Sequence, residues 1–232
     1  MSIEPTVLTD IPVAFDVAAM RDRLRIHEGR DAQDLEALVS QAGEIARPKA
    51  MYRIAFVDER GEDHVIVDSV RLDSRVLRVN IGDAQRVFLH IATCGVELDA
   101  WAHGLDDMVH QFWAEAIKEA ALRSAIRAAS MDLEERFRPG KLAAMAPGSL
   151  MDWPITQQRP LFAILGDPEA TIGVHLTASC LMVPNKSVSG LRFATEGTFE
   201  SCELCPRAIC ENRRAPYDPG LYARRYERSS EQ

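Results

Sequence analysis

The sequence of 232 residues lacks several features that would place it in a large class of proteins. It has no run of about 18 apolar residues, so no segment is predicted to span a membrane. Its first residues contain neither the basic segment nor the apolar core of a secretory signal, which favours the cytoplasm. Acidic residues outnumber basic ones by 35 to 27, and the net charge of -8 argues against nucleic acid as the main partner.

The sequence also lacks the short motifs of common enzyme classes. There is no P-loop and no G-x-G-x-x-G pattern, so no cradle for nucleotide phosphates is predicted. No serine, histidine and aspartate form a recognisable catalytic arrangement, and no pair of carboxylates can be placed across a cleft. The histidines are scattered along the chain, and we interpret each as structural or exposed: His27, His64, His90, His103, His110 and His175.

The composition is that of a globular chain, with 47% hydrophobic and 27% charged residues. Apolar residues at helical spacing predict helices over 15–26, 31–46, 98–137 with a break near Gly104, and 157–165. Runs rich in β-branched residues predict strands over 51–59, 64–72, 76–80 and 86–93, and near 172–177 and 187–195. Residues 138–160 are predicted to form a loop. The fold class is therefore α+β, a mainly antiparallel sheet with packed helices.

Within the long helix, we expect the aromatic residues to anchor the core and the charged residues to be solvated. Trp101, Phe112 and Trp113 are interpreted as anchors, and Lys118 is placed on the solvated face with its charged neighbours.

Three of the five cysteines, Cys202, Cys205 and Cys210, lie within nine residues near the end of the chain. A C-x2-C pair followed closely by a third sulfur offers three soft ligands to one metal ion or iron–sulfur cluster. Cys180 is the candidate for a fourth ligand, with a buried core thiol as the alternative. No histidine follows His175, which favours a cluster over zinc, and zinc stays the alternative.

The chain is predicted to divide into a domain over residues 1–198 and a cysteine-rich metal-binding tail over 199–232. The tail shows little hydrophobic periodicity, so we expect its metal rather than a core to hold it. Whether residues 1–90 form a lobe of their own is left open by the sequence.

The segment from about residue 90 to 195 resembles the activation domain of vitamin B12-dependent methionine synthase, and most closely its stand-alone relatives. The strings that carry the resemblance recur in order: the Pro147-Gly148 turn, Gln158 before Leu161-Phe162, Gly173-Val174 with Leu176-Thr177, and Met182-x-Pro184-x-x-Ser187-Val188-Ser189-Gly190. The resemblance implies the fold of that domain and places cofactor-binding residues in its two loops: Ala146, Pro147, Gly148, Ser187, Ser189 and Gly190.

The family uses this domain to bind S-adenosylmethionine and present its methyl group to inactive cob(II)alamin on a cobalamin-carrying partner. Its loop reads Arg-Pro-Ala-Pro-Gly-Tyr, whereas residues 144–149 here read Ala-Met-Ala-Pro-Gly-Ser. The arginine that would pair with a carboxylate is missing from the loop, which weakens the expectation that S-adenosylmethionine binds.

The resemblance and the cysteines together imply an accessory protein for reductive activation of a corrinoid-dependent methyltransferase or methionine synthase. In this hypothesis an iron–sulfur cluster in the tail relays an electron to cob(II)alamin. One alternative is a zinc-stapled, non-catalytic module that binds a corrinoid protein. Another is a domain that transfers the methyl group of S-adenosylmethionine.

Overall fold

An antiparallel sheet of seven strands forms the centre of the computed structural model, which describes residues 4–197, 199–210 and 213–227. Its strands are β1 (Thr6–Leu8), β2 (Lys49–Arg60), β3 (His64–Val67), β4 (Val70–Asp73), β5 (Arg86–Thr93), β6 (Leu142–Met145) and β9 (Ser187–Ala194). The strand order is β4-β3-β2-β5-β9-β6, with β1 paired to β2. β7 (His175–Leu176) and β8 (Met182–Val183) form a separate hairpin. This confirms the α+β class and places β6 and β9 together at one edge.

Eight α-helices of the described chain cover the sheet on both faces. They are α1 (Val17–Leu24), α2 (Arg30–Ile45), α3 (Arg75–Ile81), α4 (Val96–His103), α5 (Met108–Phe137), α6 (Gln158–Leu165), α7 (Pro168–Ile172) and α8 (Leu221–Arg225). One core lies between the sheet and α1, α2, α4 and α5. A second core lies on the opposite face, with α3, α6 and α7. The first ninety residues thus complete the same sheet that the later strands form.

The strand predicted over 76–80 is wrong, because these residues lie in helix α3. Ser74 adopts an extended conformation and its hydroxyl accepts the backbone N–H of Leu77 at 2.9 Å. Asp152, distant in sequence, accepts the N–H of Val76 at 2.9 Å. Two oxygen acceptors therefore satisfy the first turn and fix a helix that the β-branched composition disfavours.

The segment predicted as one strand over 64–72 is a hairpin of β3 and β4. Asp68 and Ser69 both have positive φ, and the Asp68 carboxylate accepts the N–H of Phe56 at 2.9 Å. Two further predicted segments also differ from the structure. The predicted loop over 138–160 contains β6, and the predicted strand over 172–177 begins with the end of α7.

The break near Gly104 is confirmed, since α4 ends at His103 and α5 begins at Met108. The predicted orientation of α5 is wrong in two places: Phe112 is 65% exposed, and Lys118 is buried. Trp113 is the aromatic residue of α5 that packs into the core. The buried face of α5 comprises Trp113, Ala114, Ile117, Lys118, Ala121, Leu122, Ala125, Ala129 and Leu133.

The C-terminal segment packs on the core, contrary to the expectation that only a metal holds it. Phe199 and Tyr226 are buried in the cluster that includes α3 and α6, and Leu204 and Leu221 pack against it. Tyr226 donates to Asn80 Oδ1 at 3.2 Å, and Arg75 donates to the carbonyl of Tyr226 at 2.6 Å. The division into two domains at residue 198 stays a prediction. Among the described residues, no helix is long and apolar enough to cross a membrane.

Candidate functional site at the edge of the sheet

The Ala-Pro-Gly turn follows directly from the end of β6. The carbonyl of Ala146 accepts the N–H of Ser149 at 3.1 Å, and Gly148 donates to the carbonyl of Trp153 at 2.7 Å. Gly148 has a φ of 83°, a left-handed conformation that favours glycine. Pro147 is buried, whereas Gly148 is exposed. The turn is therefore a fixed structure whose tip faces solvent at the edge of the sheet.

Gly190 allows the turn and strand β9 to approach each other closely. A Cβ atom at Gly190 would lie 2.6 Å from the carbonyl oxygen of Met145, 3.3 Å from Cε1 of His90 and 3.4 Å from Cβ of Ala146. The nearest of these atoms belongs to the backbone, so a side chain at Gly190 would force the end of β6 away. This glycine brings together two segments that the sequence analysis assigned to one site.

His90 lies directly opposite Gly190 in the register of β5 and β9. Burial, together with the positive charge of Arg192, lowers the pKa of His90 to about 3. Its Nδ1 atom is buried, and no described residue forms a hydrogen bond with it. The imidazole is thus neutral at physiological pH and carries a free polar atom beside the turn.

Arg192 places a positive charge two residues beyond Gly190, on the same face of β9. It pairs with Ala144 across β6 and β9 and donates from Nη1 to the hydroxyl of Ser130 on α5 at 2.8 Å. Arg192 forms no ion pair within the described ranges. Burial lowers the pKa of its guanidinium, and the negative charge of Glu134 partly offsets this effect. A partly buried guanidinium without an ion pair is a suitable partner for a ligand carboxylate.

The two predicted serines point to the opposite face of β9. Ser187 donates from Oγ to Thr93 Oγ1 at 2.9 Å, and Ser189 donates to Gln158 Oε1 on α6 at 3.4 Å. Both serines are buried in β9, which confirms the strand predicted near 187–195 and differs from the loop that the resemblance implied. Their hydroxyls are therefore used within the protein. The structure brings Ala146, Pro147, Gly148 and Gly190 together but separates Ser187 and Ser189 from them.

Lys118 anchors the segment that leads into β9. It is 1% exposed, and its Nζ donates to Asp99 Oδ1 and to Asn185 Oδ1, each at 2.8 Å. Nζ also pairs with Glu115 Oε1 at 2.6 Å, and Lys186 contacts the other oxygen of Glu115 at 3.2 Å. Burial alone would lower the pKa of Lys118, but the hydrogen bonds that Nζ donates to the carboxylates of Asp99 and Glu115 outweigh it and raise the pKa. The charged lysine therefore ties α4 and α5 to the start of β9.

The Asp-Trp-Pro sequence after the turn connects the edge to the C-terminal segment. Asp152 caps α3 through Val76 and also accepts a hydrogen bond from Ser74, and Tyr222 donates to its other oxygen at 3.4 Å. Trp153 is fully buried in the same core as Tyr226. The C-terminal segment and the turn thus share one structural support.

The cysteine loop is organised around Arg213. Its guanidinium donates to the carbonyls of Cys202 at 3.1 Å and Cys205 at 3.2 Å, and also to that of Arg207. The N–H of Arg214 donates to Cys202 Sγ at 3.4 Å, and this hydrogen bond lowers the pKa of the Cys202 thiol.

The predicted metal ligands do not form a ligand group in the described part of the chain. Cys202, Cys205 and Cys210 are partly exposed, whereas Cys180 is buried in the turn between β7 and β8. Nowhere in the described ranges do three His, Cys, Asp or Glu side chains converge as metal ligands. The described residues thus form no ligand group in this arrangement, and the four cysteines stay predicted ligands.

Sequence reasoning missed His90, Arg192 and Lys118. Position alone could not identify His90 or Arg192, because their relation to Gly190 and Ala144 appears only once the strand register is known. For Lys118 a signal existed: it is a polar residue at the spacing of Ala114, Ala121 and Ala125, which are buried on α5.

Comparison with known proteins matched a family model and solved structures. Residues 100–200 match the family model described as vitamin B12 dependent methionine synthase, activation domain. The fold is similar to a solved structure described as "Crystal Structure of the MetH Reactivation Domain bound to AdoHcy". That similarity has a TM-score of 0.56 at 16% identity and covers 86% of this chain and 81% of that one. No protein with curated annotation matched.

Proposed function

We propose that this chain, whose residues 100–200 match the family model of the vitamin B12 dependent methionine synthase activation domain, serves in the activation of a cobalamin-dependent methionine synthase or a related methyltransferase. Its α5-facing edge of β6 and β9 would bind an S-adenosyl ligand. The observation that carries this proposal is the close approach at Gly190, which sets the Ala-Pro-Gly turn beside His90 and Arg192. We call the surface formed by Ala146, Gly148, His90, Gly190 and Arg192 the edge site.

Arg192 supplies the positive charge that residues 144–149 lack. The family arginine would stand at Ala144, and Ala144 is the cross-strand partner of Arg192. Adjacent strands lie about 5 Å apart, so a guanidinium on β9 can reach a ligand carboxylate that the family holds from β6. Relative to the family loop, the positive charge would lie on β9 instead of β6, so this edge of the sheet would still carry a cation.

His90 and Gly190 shape the rest of the edge site. The neutral imidazole adds no second positive charge beside Arg192. Gly190 has no side chain where Met145, His90 and Ala146 approach β9, so the turn can lie close against the strand.

Calorimetry with two ligands tests the role of Arg192. S-adenosylhomocysteine has the amino-acid carboxylate, whereas 5′-methylthioadenosine lacks it. We expect wild-type protein to prefer S-adenosylhomocysteine, and Arg192→Met to reduce that preference about tenfold or more while leaving 5′-methylthioadenosine binding unchanged. Arg71→Met, a matched change on the exposed strand β4, serves as the control. Equal losses for both ligands would remove the assigned role of Arg192, and no binding of either would overturn the edge site.

The finer proposal concerns the reaction. The chain would hold S-adenosylmethionine so that its methyl group reaches the cobalt of cobalamin on a partner. A reductant would supply one electron to cob(II)alamin, and breaking the S–CH3 bond would release S-adenosylhomocysteine. The test mixes the chain with a cobalamin methyltransferase in the cob(II)alamin state and a chemical reductant. Formation of methylcobalamin should require the chain and S-adenosylmethionine, and should slow with Arg192→Met. An unchanged corrinoid spectrum with wild-type protein would refute the reaction while leaving the ligand site to calorimetry.

A second proposal is that the cysteine loop of residues 202–210 binds a redox-active metal. The lowered pKa of Cys202 favours the thiolate, which is the form that binds metals. The described cysteines do not converge, so we assign no electron-transfer step to them. Iron, sulfide and zinc analysis of protein purified without oxygen tests this proposal. Stoichiometric iron and sulfide that are lost in Cys202→Ala would support an electron relay, and stoichiometric zinc would support a structural site. Protein that contains no iron, sulfide or zinc would refute both interpretations.

A further inference from the structure

A cavity of about 400 Å³ lies between α5 and the N-terminal segment that leads into α1. It is separate from the edge site, because no described residue of β6, β9 or the Ala-Pro-Gly turn lines it. Its volume is within the range of small-molecule sites in proteins, about 300–1,000 Å³. The activation-domain proposal makes no use of this cavity.

Small side chains on α5 create the space. Ala116, Ala120, Ser124 and Ala128 follow one another at intervals of four residues and form the floor. Opposite them, Ile11, Pro12 and Met20 form an apolar wall. Because the side chains of the wall are large and those of the floor are small, the two segments contact each other at their margins and leave a groove between them.

Positive charge dominates the rim of the groove. Three of the lining residues are arginines, Arg23, Arg123 and Arg127, whereas Asp16 is the single carboxylate among them. Asp16 is engaged as the N-cap of α1, where its Oδ1 accepts the N–H of Ala19 at 2.9 Å. The groove therefore has a surplus of positive charge in a chain whose net charge is -8.

The three arginines differ in their partners. Glu119 lies beside the groove and accepts hydrogen bonds from Arg23 at 2.8 Å and Arg123 at 2.5 Å. Arg127 is exposed and forms no hydrogen bond or ion pair with any residue that the structure describes. One guanidinium at the mouth of an apolar groove is thus free to bind an anion, which it can hold in bidentate geometry.

We propose that this groove binds a small molecule in which an apolar body is joined to a carboxylate, with the anion at Arg127 and the body on the alanine floor. The body can be an acyl chain or a compact aromatic ring. Both share the chemistry that the groove complements, and the experiment distinguishes them.

Calorimetry on the full chain, with two carboxylates and their neutral counterparts, tests the proposal. The probes are decanoate against decanol and 1-naphthaleneacetate against 1-naphthaleneethanol. At least one carboxylate should bind about tenfold more tightly than its alcohol, and the one that binds identifies the shape of the body. Equal binding of acid and alcohol, or no binding of either carboxylate, would overturn the proposal.

Two variants locate the binding. Arg127→Ala should weaken carboxylate binding about tenfold, equivalent to about 1.4 kcal/mol, and leave alcohol binding unchanged. Arg30→Ala removes another exposed arginine, one that lies away from the groove, and serves as the control. Ala120→Met should fill the floor and abolish binding of every probe, with circular dichroism confirming the fold. Wild-type affinity in Arg127→Ala would refute the site even if Ala120→Met failed to fold.

Discussion

Neighbouring residues of strand β9 point to opposite faces of the sheet, and the residues on the two faces have different roles. On the α6 face, Ser187 and Ser189 are buried and donate to Thr93 and Gln158. On the α5 face, Gly190 and Arg192 lie beside the turn and the neutral His90. A Ser-Val-Ser-Gly string therefore contains structural residues and candidate ligand-binding residues in alternation. The comparison shows that a motif identifies a strand, whereas the pleat decides which members can meet a ligand.

The largest expected effect on the free energy of unfolding is that of replacing Lys118, which anchors the start of β9. Lys118→Met should destabilise the protein by about 3 kcal/mol, because it leaves Asp99 and Glu115 without their buried cation. Denaturant unfolding measures the change. Lys186→Met removes the other cation from the same Glu115, but at a more exposed position, and should cost about 1 kcal/mol or less. Equal costs for the two variants would contradict the central role of Lys118.

On the α5 face, Gly190→Ala should abolish or strongly weaken binding of S-adenosylhomocysteine and destabilise the protein by about 2 kcal/mol. Its Cβ would lie 2.6 Å from the carbonyl of Met145, so the turn must move. The control is Gly43→Ala in helix α2, where a Cβ meets no atom within 4 Å. That change should stabilise the protein by about 0.5–1 kcal/mol without affecting binding. Calorimetry and unfolding are measured on both variants.

The pH dependence of stability tests His90. Its pKa is lowered to about 3 in the folded chain, below the value of about 6.5 in the unfolded chain. The unfolded chain therefore binds the proton more readily, and stability should fall as the pH drops from about 6.5 toward 3, by up to about 1.4 kcal/mol per pH unit from this group.

His90→Gln should remove that contribution and flatten the profile, as measured by denaturant unfolding at a series of pH values. His27→Gln, a change at an exposed histidine, provides the comparison. An identical slope in His90→Gln and wild type would mean that His90 is not held neutral in the folded chain.

The α6 face gives the smallest expected effect. Ser189→Ala removes one 3.4 Å hydrogen bond to Gln158 and should cost about 1 kcal/mol or less. Binding of S-adenosylhomocysteine should not change, since the hydroxyl points away from the edge site. A Ser189→Ala variant that folds normally but loses the ligand would break the distinction between the two faces.

The sequence predicted those features of the fold that depend on local pattern. Hydrophobic periodicity located α2, α5 and strand β5, and the Pro-Gly dipeptide located the turn. Helix α3 was mistaken for a strand because its first turn is capped by Asp152, a residue far away in the sequence. Long-range acceptors of this kind leave no trace in a local pattern.

The candidate site was predictable only in part for the same reason. Ala146, Pro147, Gly148 and Gly190 followed from the family resemblance, whereas Arg192 emerged from its register opposite Ala144. The C-terminal segment was misjudged because Phe199 and Tyr226 contribute to a core formed by distant helices. Its few apolar residues have no periodicity of their own to reveal this.

Nuclear magnetic resonance of isotope-labelled protein, titrated with S-adenosylhomocysteine, tests the central claim most directly. The account predicts saturable shifts of the backbone signals of His90, Ala146, Gly148, Gly190 and Arg192, with the side-chain amide of Gln158 on the α6 face unmoved. Shifts confined to the α6 face or to the cysteine loop, or no shifts at millimolar ligand, would contradict it.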